Sequence, residues 1–386
     1  MLRTTRPKRA VIALIATAGL TLSACGTTED SNEGGSDSDS GSAACDLTLA
    51  FFGPQTGPAA GLGAPIINGA QLAIDQYNAD AECEVAYEQI DSQGSPDQAP
   101  SLATEAAGNE AIIGIVGPAF SGESAAAGPI FAEAGLPTVS PSATNPALSE
   151  NGWDTFHRAL GNDATQGPAA AKYIQDTIGA KAVFVIDDAS EYGAGLAGIV
   201  EEDLGDAVVD TDTIQAGQTD FGATVTKVRS SKADAVFFGG YYAEAALIVR
   251  QLRDSGFEGD FVVADGVKDP GYLDGAGKSA EGTIITCPCI PAEDPAVADF
   301  AAAYEEEFGE APGTYAAEAY DAATIFLDGI AEGIDTREDM LAFVNDYDEA
   351  GVTKQLSFDE AGEPADVHVY AYKVEGGEIV SDTEIM

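Results

Sequence analysis

Between Leu47 and Thr286 the chain alternates short apolar runs with segments of helical spacing, and this alternation constrains its fold more than any other feature. The runs are Leu47 to Phe52, Val85 to Ile90, Ala111 to Val116, Pro137 to Val139, Ala182 to Ile186, Ala207 to Ile214, Ala233 to Phe238, Asp260 to Ala264 and Gly282 to Thr286. Several are continuously apolar, as expected of parallel strands covered on both faces. Between them, Gly69 to Asn78, Pro96 to Asn109, Glu123 to Ala134, Gln166 to Ile178, Gly195 to Leu204, Phe221 to Ser230 and Ala243 to Ser255 carry helix formers at helical spacing. Strands alternating with helices predict an α/β fold of doubly wound parallel sheets.

Roughly 340 residues follow Ala44, more than one hydrophobic core usually supports, so two lobes are expected. An internal echo agrees. Strand, Gly loop, helix, strand and polar loop follow one another from Ala111, and again from Ala233 at similar spacing. The loops after Gly117, Val139, Gly239 and Val263 then lie at strand carboxyl ends, where open α/β sheets bind ligands.

The first 44 residues read differently. Arg3, Arg6, Lys8 and Arg9 precede an uncharged stretch, Ala10 to Leu20, and Leu22-Ser23-Ala24-Cys25 follows. This has the layout of a secretory signal over 1–24. It resembles a lipoprotein signal, with the cut before Cys25 and lipid on its thiol. The apolar stretch is shorter than the ~20 residues a membrane-crossing helix needs. Residues 25–44 are rich in Gly, Ser and Asp and read as a disordered tether. The expected location is extracytoplasmic, lipid-anchored at Cys25 and otherwise outside the membrane.

Four further cysteines suit an oxidising compartment. Cys45 and Cys83 each precede a strand candidate. If those strands are neighbours, the two are within reach of a disulfide. Cys287 and Cys289 flank Pro288 and are left to pair with each other. A metal or redox reading of Cys-x-Cys lacks an accompanying His or second Cys pair, so no metal is expected. The formal charge is -48. Binding to nucleic-acid phosphates depends on clustered Lys and Arg, and this balance excludes it. A solvated acidic surface is the plain reading, and high salt would also suit it.

The first loop holds Ala119, Phe120 and Ser121, with Ser121 placed to cap the next helix. The second holds Ser142, Ala143 and Thr144. Together they suit a carboxylate, although capping and turn chemistry explain them equally. The third supplies Tyr241 and Tyr242; the fourth supplies Asp265, either partner to an ammonium or cap of a turn before Gly266. Carboxylate capture on one lobe and ammonium capture on the other describe a clamp for a zwitterion.

Six segments carry a resemblance: FFGPQTGPAAGLG (51–63), SPSATNPALS (140–149), GNDATQGPAAAKYI (161–174), EYGAGLA (191–197), FFGGYYAEAALIVRQLR (237–253) and ADGV (264–267). In order and spacing they resemble the leucine/isoleucine/valine-binding proteins of branched-chain ABC importers, of the type I periplasmic-binding-protein fold. The resemblance implies a non-enzymatic, monomeric receptor without a cofactor, which delivers a small aliphatic amino acid to a membrane permease. It implies that Ser121 and Thr144, with backbone groups of Ser142 and Ala143, hold the ligand carboxylate. Asp265 holds the ammonium, with the Ser142 carbonyl and Tyr241 nearby. Leu62, Ala119, Phe120 and Tyr192 line the side-chain pocket. Three hinge crossovers, near Leu160, Thr286 and Leu356, would divide the chain into 45–160 with 287–355 and 161–286 with 356–386. The family often bridges two loops by a disulfide where Gly94 and Phe120 stand here, and it often has the longer Glu where this chain has Asp265.

Other readings remain. Gly193-Ala-Gly195-Leu-Ala-Gly198 matches G-x-G-x-x-G, with Asp210 downstream, which would suit an exported dinucleotide-binding enzyme. The motif, however, starts about five residues beyond its strand, whereas the fingerprint opens directly off one. Hydrolysis finds only His157 and His368 and no G-x-S-x-G. His157, beside Arg158, reads as a surface or hinge residue. A sensor lipoprotein of the same fold, or a receptor for an amide or aromatic acid, are the alternatives closest to the main reading.

Overall fold

The structure is a computed structural model describing residues 46–386; the signal segment, Cys25, the linker and Cys45 lie outside the described residues. Its first part runs β1 (Thr48–Gly53), α1 (Ala60–Asp80), β2 (Ala86–Asp91), α2 (Ala99–Gly108), β3 (Ile112–Val116), α3 (Ser121–Glu133), β4 (Thr138–Ser140) and β5 (Phe156–Arg158). Next come α4 (Asp163–Lys172), β6 (Val183–Asp187), α5 (Glu191–Leu204), β7 (Val208–Thr213), α6 (Gly222–Ser231), β8 (Ala235–Gly239), α7 (Tyr242–Asp254), β9 (Asp260–Val263), α8 (Pro270–Ala276) and β10 (Ile284–Cys287). The chain ends with α9 (Ala298–Phe308), α10 (Ala316–Ala331), α11 (Arg337–Asn345), β11 (Asp348–Ala350), β12 (Gln355–Ser357), β13 (Tyr370–Glu375) and β14 (Glu378–Glu384).

Two main sheets result. The first, ordered β2-β1-β3-β4-β5, is parallel throughout. The second is ordered β14-β13-β10-β9-β8-β6-β7. Its strands β6 to β10 are parallel, but β13 and β14 run antiparallel at one edge. The continuous apolar runs do become central strands: every residue of β3 and β8 is buried. They are buried because helices cover both sheet faces.

The antiparallel edge departs from the expected all-parallel sheets. Its turn is Gly376-Gly377, both at positive φ (62° and 86°), between the paired residues Glu375 and Glu378. A two-residue hairpin of this kind needs positive φ at both central residues, which glycine alone adopts freely. Helix α1 also begins at Ala60, nine residues before the expected Gly69. Gly61, Gly63 and Pro65 hide its first turns from a propensity reading.

The chain passes from the first main sheet to the second after β5; after β10 it runs through α9 to α11 and a separate β11–β12 pair before β13 rejoins the second sheet. Following β10 it returns to the first sheet, where α10 packs along α1 and against β3 and β4. No helix among the described residues is long and apolar enough to cross a membrane.

Candidate functional site

The loop after β3 and the loop after β4 are tied together by serines. Ser140 Oγ donates to Pro118 O at 2.7 Å, and Ser142 Oγ donates to Ala119 O at 2.7 Å. Ser140 Oγ in turn accepts from Ala143 N at 2.9 Å and from Ser142 N at 3.4 Å. Two second-loop hydroxyls therefore brace the first loop. Ser121 is not the helix cap: Phe120 holds that position and Ser121 is the first residue of α3. Glu123 takes the capping role instead, accepting from Phe120 N at 2.8 Å. The Ser121 hydroxyl is buried and accepts from Asn145 N at 3.2 Å.

Opposite these loops, Asp265 follows β9 and is 1% exposed. Three donors from three elements converge on its carboxylate. Tyr192 Oη (α5) and Gln166 Nε2 (α4) each reach Oδ1 at 2.7 Å, and Tyr315 Oη, at the entry to α10, reaches Oδ2. Burial pushes the Asp265 pKa up, while these hydrogen bonds pull it down. Gln166 is itself held by Thr286 O at 3.0 Å.

A cleft with a free volume of about 10 Å³, room for about one water, separates the two sides. Phe120, Ser121 and Ser142 face Tyr192, Tyr241 and Asp265 across it, and Tyr315 and Gly266 complete the wall. It is smaller than the ~300–1,000 Å³ that drug-sized ligands occupy. The sides touch around it. Phe120 and Tyr241 rings lie 4.8 Å apart, Asn145 Nδ2 donates to Glu191 O at 2.7 Å, and Gly61 N donates to Tyr242 Oη at 3.3 Å.

Of the residues expected here, Phe120, Ser121, Ser142, Tyr192, Tyr241 and Asp265 share the cavity wall. Ala143 and Thr144 are buried outside the wall, and Leu62 and Ala119 lie in the same apolar cluster as Phe120. Tyr315 and Gln166 contact Asp265 and were missed. Tyr315 has φ 68° and ψ 4°, a left-handed conformation rare for a bulky residue, which sequence does not reveal. Gln166 stood in plain view beside Asp163 in GNDATQG, but a polar pair at a helix start reads first as capping.

Other expected features fall elsewhere. The Cys287 and Cys289 sulfurs are bonded to each other at the end of β10. Cys83 is disulfide-bonded to a partner outside the described residues. Two glycines of 193–198 serve packing: a Cβ at Gly193 would meet Gly239 O at 2.6 Å and one at Gly195 would meet Asn145 Nδ2 at 2.8 Å, whereas Gly198 faces open space. His157 is buried rather than exposed, with Nε2 2.9 Å from Asn345 Oδ1, and His368 lies near Asp366 and Glu384. No metal-holding cluster of His, Cys, Asp and Glu occurs among the described residues.

In sequence and fold the chain is similar to known proteins. A Leu/Ile/Val-binding protein, BraC3, of Rhizobium johnstonii is 32% identical over 348 residues, 87% of this chain and 94% of that protein. A leucine-specific-binding protein of Salmonella typhimurium is 35% identical over 262 residues, 66% of this chain and 71% of the relative. Among solved structures, a leucine binding protein from Thermotoga maritima superposes with a TM-score of 0.82 at 28% identity, covering 88% of this chain and 98% of that one. A branched-chain amino acid transporter substrate binding protein from Streptococcus pneumoniae, in complex with isoleucine, gives 0.81 at 29% identity, with the same coverage. The family model described as periplasmic binding protein matches residues 46–378, and the chain belongs to that family.

Proposed function

We propose that this chain is a receptor, not an enzyme, which encloses a small aliphatic amino acid between two closing lobes and delivers it to an ABC importer. The observation that carries the reading is Asp265: a buried carboxylate held by three donors, facing Ser121 across a narrow cleft. An acid on one side suits an ammonium. On the other, the first turn of α3 offers free backbone N–H groups to a carboxylate, beside the Ser121 hydroxyl. The aromatic rings of Phe120, Tyr192 and Tyr241 gather at the cleft as an apolar wall for the side chain. The relatives support this choice, since their names specify leucine, isoleucine and valine and one structure holds isoleucine.

The finer parts belong to the same proposal. Lobe one comprises 45–160 with 287–355, and lobe two 161–286 with 356–386, joined by hinges near Leu160, Thr286 and Leu356. Contacts made only when the lobes meet provide the differential affinity that couples closure to ligand. Ser121, Thr144 and the backbone at Ser142 and Ala143 receive the carboxylate; Asp265, Tyr241 and the Ser142 carbonyl receive the ammonium. Lipid on Cys25 and the 25–44 linker keep a monomeric clamp near its permease.

Calorimetric titration with leucine, isoleucine, valine, alanine, phenylalanine and their amides tests the reading. Binding of at least one aliphatic amino acid is expected, with Asp265→Ala weakening it tenfold or more. A charge-assisted hydrogen bond is worth ~1.5–3 kcal/mol, and leaving the ammonium unpaired costs more. Asp265→Ala with wild-type affinity would remove Asp265 from the site, and failure to bind any amino acid would overturn the function.

A further inference from the structure

Arg158, the last residue of β5, is 0% exposed. A guanidinium keeps its proton in proteins, so burying one requires partners that hold the charge. Its terminal nitrogens have four. Nη1 donates to Ala143 O at 2.7 Å. Nη2 donates to Asn145 O at 3.1 Å and to Ser149 Oγ at 2.9 Å, and pairs with Glu363 Oε1 at 3.1 Å. Ser149 Oγ donates in turn to Glu363 Oε1 at 2.5 Å, which closes a ring of three side chains. The segment carrying Glu363 is fixed against β5 as well. Arg158 N donates to Gly362 O at 3.1 Å, and Gly362 sits at φ 74°, where a Cβ would lie 1.9 Å from Phe156 O. Three of the four partners, Ala143, Asn145 and Ser149, belong to the segment after β4.

These bonds fix the direction of one peptide group. The Ala143–Thr144 peptide is planar and trans, so its C=O and N–H point opposite ways. With the Ala143 carbonyl drawn to Arg158, the Thr144 N–H is turned away from the guanidinium. The main-chain groups around it are engaged. Ala143 N donates to Ser140 Oγ at 2.9 Å, Thr144 O accepts from Asp163 N at 2.8 Å, and Asn145 N donates to Ser121 Oγ at 3.2 Å. The Thr144 N–H has no acceptor among the described residues, and Thr144 is 0% exposed. A buried N–H without a partner is costly and rare in native structures. It sits one residue before the N–H that reaches Ser121, whose side of the cleft is assigned to the ligand carboxylate.

We propose that Arg158 is a positioning residue for carboxylate recognition: its planar fork holds the Ala143 and Asn145 carbonyls so that the Thr144 N–H between them is presented to the ligand carboxylate. The proposal rests on the amino-acid reading above. Arg158 does not itself meet the ligand, since it lies outside the cleft wall and its terminal donors are committed to the protein. The shape of the fork matters as much as its charge. A lysine would bring the charge, but one ammonium nitrogen does not reproduce two planar donors aimed at two carbonyls and a carboxylate. Holding Asn145 has a second consequence. Its Nδ2 donates to Glu191 O at 2.7 Å from the opposite side of the cleft, so the loop that receives the carboxylate is also a loop on which the two sides meet.

The test is Arg158→Lys in the full chain, titrated calorimetrically with leucine, isoleucine and valine and with their α-carboxamides. Wild type is expected to prefer the acid to the amide. In the variant, acid affinity should fall about tenfold or more while amide affinity changes less than about threefold, so that the preference collapses. An unchanged preference would overturn the proposal, whatever happens to the melting temperature. Equal weakening of acid and amide would show a structural role and overturn it too. Should Arg158→Lys fail to fold, Glu363→Gln decides. That variant keeps an acceptor for Ser149 and Nη2 but removes the anchoring charge from a side chain that is 18% exposed. A fall of about threefold in the preference supports the role of Arg158, and an unchanged preference overturns it. If wild type binds no amino acid, the functional reading fails and takes the proposal with it, whereas wild-type binding with unaltered preference in the variants sinks only the role of Arg158.

Discussion

At the scale of single residues, Glu123 shows how a side chain outside the cavity shapes it. It is fully buried, accepts from Phe120 N and from Ser92 Oγ, and so joins the loop that presents Ser121 to the loop after β2. The Phe120 ring covers Gly94 on the same side, where a Cβ would meet it at 2.9 Å. These contacts link the two loops that, by the resemblance, a disulfide often joins. Burial pushes the Glu123 pKa to about 7, against its hydrogen bonds from Ser92 and Phe120, from an ordinary 4.5. A raised acid binds its proton more tightly when folded. Its stability contribution is therefore complete below about pH 4.5 and lost as pH rises towards about 7, a span of about 3 kcal/mol. Glu123→Gln keeps an acceptor for Phe120 N and offers an amide donor to Ser92. The variant should unfold with a flatter pH dependence than wild type between pH 4.5 and 7, seen as a shrinking difference in urea midpoint at the acid end. Parallel profiles would show that Glu123 titrates normally.

At the scale of elements, the α1–α10 contact decides where Tyr315 stands. A Cβ at Gly69 in α1 would lie 2.1 Å from Ala316 O, the first residue of α10. Helix propensity alone predicts that Gly69→Ala stabilises by ~0.5–1 kcal/mol. Overpacking against a backbone that cannot yield costs ~1–3 kcal/mol, and it should win. The expected outcome is a lower urea midpoint at unchanged m-value, together with weaker ligand binding, because Ala316 adjoins Tyr315 and Tyr315 donates to Asp265. A raised midpoint would mean that α10 can move away from α1. Most strands and helices as far as β10 were legible at this scale from apolar runs and helical spacing. Beyond it, the β13–β14 hairpin was not read, although Gly376-Gly377 marks its turn. α1 was read short because glycine and proline in its first turns argue against helix while tertiary packing requires them.

At the scale of the whole molecule, the formal charge of -48 opposes compaction. Among the described residues, cations such as Lys227 and Lys373 make exposed pairs, worth little in water. Salt should therefore stabilise the fold, since the screening length falls from ~10 Å at 0.1 M to ~3 Å at 1 M. A thermal scan from low to molar potassium chloride is expected to show a steady rise in Tm. A flat or falling series would mean that local pairing, not net repulsion, governs the surface.

The sequence by itself determined the α/β alternation, the echo between two βα units and the four loops at strand carboxyl ends. These follow from local periodicity and from where polar residues interrupt apolar runs. It also named the acid, Asp265, and the hydroxyl, Ser121, because each ends an apolar strand or opens a helix. Only the tertiary structure decided which loops meet. It turned the Ser140 and Ser142 hydroxyls onto neighbouring carbonyls and brought Tyr315 from α10 and Gln166 from α4 onto Asp265. Those outcomes depend on contacts that place residues 50 and 99 positions from Asp265 against its carboxylate. Local propensity cannot encode a partner so far along the chain; long-range packing selects it.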